Sequence, residues 1–185
     1  VTGSAQEYVA IYNPNNEPVD LSNYYITDAI HGPSNTNYAY IANPTAGIPG
    51  GGTFFDFHAR FPAGAMINAR DTVAVGNQGA PAFVTSYGRK PAYELAFAAS
   101  NDAAVPDMRP AFPGSIPSVP DSATLSNGSE VVVLYYWDGS SDLTVDVDYM
   151  FWGANTGTYV LDKTGISVDG PDGDTTPTAY KPDTP

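Results

Sequence analysis

Residues 130–152 constrain the fold of this chain more than any other segment. Glu130 to Trp137 (EVVVLYYW) is a run of β-branched and aromatic side chains closed by Asp138 and Gly139. Such side chains favour a pleated, partly buried surface, and Asp-Gly favours a tight reversal. Leu143 to Trp152 (LTVDVDYMFW) then alternates apolar and acidic residues through Val145, Asp146, Val147 and Asp148. A period of two is that of a half-exposed strand, so the two segments are expected to pair as a hairpin.

The same grammar recurs along the chain. Tyr8 to Tyr12 and the stretch around Tyr24 to Thr27 read as strands separated by the turn residues Asn13, Pro14, Asn15 and Asn16. Proline fixes one φ angle there, and asparagine tolerates left-handed backbone while bonding to its own main chain. Thr53 to Phe57 and, after the lead-in Met66-Ile67, Asp71 to Val75 read as further strands. His31 to Gly52 is rich in Asn, Gly and Pro and reads as a long excursion, with room for one more strand at Tyr38 to Ile41. Lys90 to Ser100 reads as the one short helix, because Pro91 stands early in a run of good helix formers. Asn101 to Ser122 reads as a proline-rich surface connection, and the chain after Lys163 as an irregular tail.

The 185 residues suit a single domain, and 42% hydrophobic with 12% aromatic residues is enough apolar material for a core. Seven Lys and Arg against twenty Asp and Glu leave a formal charge of -13. The basic residues are scattered, so neither nucleic acid nor an anionic lipid surface is an expected partner. With no cysteine, the chain has no disulfide framework and no thiolate chemistry. No apolar run is long enough for a transmembrane helix, and with no positively charged leader any export signal is expected to have been removed.

Several phrases, taken in order, resemble the bacterial lamin tail domain family. They are Glu7-Tyr-Val-Ala-Ile-Tyr-Asn-Pro, Glu17-Pro-Val-Asp-Leu-Ser, Phe61-Pro-Ala-Gly, Asp71-Thr-Val-Ala-Val-Gly, Leu125-Ser-Asn-Gly-Ser-Glu-Val-Val-Val-Leu-Tyr and Val147-Asp-Tyr-Met-Phe-Trp-Gly. The resemblance spans most of residues 5–153. It implies an all-β, immunoglobulin-like antiparallel β-sandwich with long loop insertions and at most one short helix. On that frame residues 1–185 form one domain, with core strands in about 5–28, 53–76 and 124–153. Insertions fall at about 29–52 and 78–122, and an Asp- and Pro-rich tail at 163–185. The resemblance also implies a secreted or cell-surface protein of bacteria, and carries no catalytic residue with it.

Chemistry-bearing side chains are few. Only His31 and His58 are present, without the spacing of a hydrolase nucleophile or a zinc protease, so no enzyme activity is expected. His58, between aromatics, reads as a structural imidazole. Asp169, Asp172 and Asp174 on a Gly-bearing loop are the candidate ligands for Ca2+, with Asp142, Asp146 and Asp148 as a weaker set. Asp146 and Asp148 would repel each other if both lay on one exposed face. Trp137, Trp152, Tyr135 and Phe151 are the raw material for stacking on a glycan, although strand aromatics usually serve a core. The expected function is a non-enzymatic extracellular module for attachment or assembly, through a protein partner or self-association into a layer or fibre. A carbohydrate-binding accessory role is the alternative, and a carboxylate-dependent hydrolase a more distant one.

Overall fold

The computed structural model describes residues 7–28, 37–43, 45, 56–95, 101–116, 123–153 and 161–181. The strands in chain order are β1 (Tyr8–Tyr12), β2 (Val19–Asp20), β3 (Tyr24–Thr27), β4 (His58–Arg60), β5 (Met66–Ile67) and β6 (Thr72–Gly76). After the helix α1 (Ala80–Tyr87) come β7 (Tyr93–Leu95), β8 (Asp107–Pro110), β9 (Glu130–Tyr136), β10 (Val145–Trp152), β11 (Ser167–Val168) and β12 (Thr178–Ala179). A 3-10 helix occupies Tyr38–Ala42. The chain is therefore mostly β with one short α-helix among the described residues.

Eight strands form one curled mixed sheet in the order β1-β6-β7-β8-β4-β3-β9-β10. The curl is made at β8. Its first half pairs in parallel with β7 (Leu95 beside Met108), and its second half pairs antiparallel with β4 (Arg60 beside Arg109). One strand thus divides its hydrogen bonding between the two halves of the sheet. Arg109 secures the junction by donating to the Phe61 carbonyl from Nε and Nη2.

Side-chain alternation fills the space inside the curl. Val9, Ile26, Ala59, Val73, Val75, Leu95, Met108 and Val132 share the main core with Phe57 and Phe61. The opposite faces of β3 and β9 carry Tyr25, Val131, Val133 and Tyr135, which pack against Tyr38 and Ile41 of the 3-10 helix. Because both faces of β9 are covered, its apolar run is nearly unbroken. Tyr24 and Tyr25 divide as adjacent strand residues must, Tyr25 buried and Tyr24 half-buried. The last hydrophobic layer is Ala39, Ala42, Ile166 and Val168, closed by Tyr180.

Several expectations are corrected. The helix lies at Ala80–Tyr87, not at Lys90 to Ser100. Pro81 opens it, and Gly88, with φ 68, ends it in the left-handed conformation while its N–H donates to the Val84 carbonyl. Tyr93 to Leu95, expected inside a helix, instead forms a parallel strand between β6 and β8. The stretch 78–122, expected as an insertion, supplies β7 and β8 to the middle of the sheet. Tyr38–Ala42 is 3-10 helix and not strand, started by the Asn37 side chain accepting from the Ala39 N–H at 2.9 Å. The tail is more ordered than expected, since β11 and β12 pair across Val168 and Thr178. The segment Thr53 to Phe57 lies largely outside the described residues.

Candidate interaction surface

The two end strands of the sheet, β1 and β10, flank an open hollow of about 460 Å3. Its walls are made by successive residues: Val9, Ala10, Ile11 and Tyr12 on one side, and Val147, Asp148, Tyr149 and Met150 on the other. Successive strand residues point to opposite faces, so a wall of consecutive residues is a strand presenting its edge. The floor is Ile26, Val132 and Leu134, which belong to one face of β3 and β9. Two strand edges that no strand pairs with among the described residues thus border a strip of apolar sheet face. Counting antiparallel pairings from β1 round to β10 shows that these edges run in opposite senses.

Strand β10 is exposed almost throughout. Val145 (58%), Val147, Tyr149 (60%), Met150 and Phe151 are the largest apolar group at the surface of the described chain. An edge strand of eight residues with apolar side chains on both faces, and without Pro or Lys, is one that natural sheets usually blunt. A register shift between Asp146 and Asp148 is the only interruption in its pairing with β9. That bulge leaves Asp146 beside Tyr135 and Asp148 beside Leu134, which are neighbours on β9 and so face opposite ways. The expected repulsion between the two carboxylates is relieved in this way. Asp146 pairs with Lys163 and accepts from the Tyr38 hydroxyl at 2.7 Å, whereas Asp148 stands on the floor side without an ion pair among the described residues.

The other sequence candidates have separate surroundings. His58 is fully buried, 2.6 Å from the Tyr135 hydroxyl and in edge contact with Phe112. It sits among aromatic rings, while His31 lies outside the described residues. Asp172 and Asp174 are exposed, and each accepts the N–H two residues ahead, from Asp174 and Thr176. Burial raises the Asp169 pKa, with Asp142, Asp174 and Asp172 adding repulsion. Among the described residues no group of three His, Asp or Glu side chains is arranged to hold a metal ion. Asp142 accepts from Gly170 N–H at 2.7 Å and from the Thr178 hydroxyl, tying the tail to the β9–β10 turn.

Of the aromatic set, Tyr135 is core, stacked on Tyr25 at 4.8 Å. Trp152 is half-buried and donates to the Ser126 carbonyl, and Phe151 is on the exposed edge strand. Trp137 lines a second, shallower hollow of about 530 Å3 with Phe112, Pro113, Pro171, Asn43 and Asp169.

A third grouping was missed by sequence reasoning. Asp28 is 3% exposed, and its Oδ1 accepts from Phe57 N–H at 2.6 Å, while Oδ2 has no partner among the described residues. Burial first, and the neighbouring Asp56 and Glu130 carboxylates next, push its pKa well up. Glu130 and Glu7 are raised by burial as well. Their spacing along the chain gives no hint that they converge.

The chain matches no protein-family model, no curated protein and no solved structure. Among the described residues no helix is long and apolar enough to cross a membrane.

Proposed function

We propose that the chain is a non-enzymatic extracellular attachment module, an immunoglobulin-like domain of the lamin-tail kind, and that the seam between β1 and β10 is its working surface. The observation that carries this is the pair of edges, unpaired among the described residues, around an apolar floor, with β10 exposed on both faces. Fully burying a side chain such as Val or Met is worth about 1.5–3 kcal/mol, so covering β10 and the floor is a strong drive to association. The sealed His58 favours a non-catalytic reading, and the ordered phrases from Glu7 to Gly153 favour the lamin-tail reading.

Labelled protein added to cells of its producing species tests this. It is expected to attach, and the double variant Tyr149→Lys, Met150→Lys is expected to lose at least about tenfold in affinity, since two apolar contacts become buried charges. Both side chains are exposed, so circular dichroism and Tm should stay unchanged. Equal attachment by the folded double variant would remove the seam from consideration.

A second reading rests on the other hollow. Trp137 and Phe112 offer ring faces beside the polar groups of Asn43 and Asp169, the combination a sugar ring uses. Glycan-array binding lost on Trp137→Ala would favour it over the seam.

A further inference from the structure

The geometry points to one kind of occupant for the seam: a single extended segment of another protein, about five residues long, apolar at alternate positions and carrying one Lys or Arg. This inference rests on the attachment reading and specifies its partner. A strand is the one element with two hydrogen-bonding edges and an apolar face, and among the described residues the seam offers two open edges and an apolar floor. Its length is set by the five residues of β1 and by the regular part of β10 beyond the bulge, from Asp148 to Trp152. Because β1 and β10 run in opposite senses, a strand between them is antiparallel to one and parallel to the other.

The pattern follows from β10. Asp148, Met150 and Trp152 lie beside Leu134, Val132 and Glu130, alternate residues of β9, and so share the floor side. A strand added alongside presents its inward side chains to these three, and opposite charges placed across from each other attract. Among the described residues, Asp148 is the only charged one lining the hollow. The inward residues are therefore basic next to Asp148 and apolar over Met150 and the floor. A second copy of this chain is the poorer fit, because each copy carries a formal charge of -13.

The test uses synthetic seven-residue peptides, Thr-Val-Thr-Val-Thr-Lys-Thr and its reversed sequence, each with a Glu-for-Lys counterpart, titrated into the labelled protein and followed by amide NMR. The expected result is slowed hydrogen exchange in β1 and β10, with one Lys peptide binding at least about threefold more tightly than its Glu counterpart. Asp148→Asn should abolish that preference while leaving residual binding. Failure of all four peptides to protect β1 or β10 at millimolar concentration would overturn the strand occupant. If the labelled protein still attached to cells in a Met150-dependent way, the attachment reading would survive that failure. Binding with no preference for Lys would overturn the charge pattern. A dimer at micromolar protein in ~150 mM salt that buries the same amides and resists the peptides would put a second copy in the seam instead.

Discussion

Asp28 stands out among single residues because its environment works against its charge. It is buried at the end of β3 with one oxygen held by Phe57 N–H, and Asp56 and Glu130 add like charge. An acid whose pKa is raised on folding holds its proton more tightly in the native state. Stability therefore falls as pH rises from the ordinary carboxylate range through the raised value, at up to about 1.4 kcal/mol per pH unit per group. Glu130 and Glu7 act in the same direction. Asparagine keeps the acceptor for Phe57 and removes the charge. Asp28→Asn should raise stability at pH 7.5 by about 1–2 kcal/mol and flatten its decline between pH 5 and pH 8, read as urea midpoints at each pH. A decline as steep as in the parent chain would shift the burden to Glu130 and Glu7. The single residues of the seam were half legible from sequence. The Val-Asp-Val-Asp alternation marked a strand with an exposed side, but Lys163 meets Asp146 only through the fold, and the bulge that separates the two carboxylates leaves no local signal.

At the scale of elements, strands with a clear local pattern were legible, and short ones without it were not. β1, β3, β6, β9 and β10 have period-two or β-branched runs bounded by Asn, Pro, Gly or Asp. β7 and β8 are short and are held by parallel pairing, β7 with β6 across the helix and β8 with β7, so helix formers and prolines concealed them. Glu94 shows what replaces local propensity there. It is fully buried in β7, and its carboxylate accepts from Ala80 N–H at the start of α1 and from Asp102 N–H at 2.8 Å. A carboxylate at a helix N-terminus satisfies an orphan donor and complements the helix dipole. Glu94→Ala removes both bonds and leaves two N–H groups without their acceptor, at about 2–4 kcal/mol. Glu94→Gln keeps one acceptor oxygen and should cost less than half of that. Equal losses in the two variants, measured by denaturant unfolding, would mean that the paired acceptor oxygens of the carboxylate matter and its bulk does not, whereas an unchanged Gln variant would mean that Glu94 acts by packing alone.

Across the whole molecule, acidity and the open seam belong together. A surface with a formal charge of -13 repels its own kind, which suppresses edge-to-edge pairing of an exposed apolar strand. The same repulsion acts within one chain and lowers the stability of the compact state. Salt screens charges at the surface, with a Debye length of about 30 Å at 0.01 M and about 3 Å at 1 M, but screens buried groups much less. The two electrostatic costs can therefore be separated. At pH 7.5, raising salt from ~10 mM to ~500 mM should lift Tm by several degrees, since about 1 kcal/mol corresponds to 2–4 °C for a chain of this size. At pH 5, nearer the sequence isoelectric point of about 4.1, the net charge is smaller and the lift should be smaller too. The gain from Asp28→Asn should persist at high salt, because that carboxyl is sealed from solvent ions. If salt erased that gain as well, the Asp28 cost would be part of the general surface repulsion, and the pH dependence would belong to the charge of the whole chain.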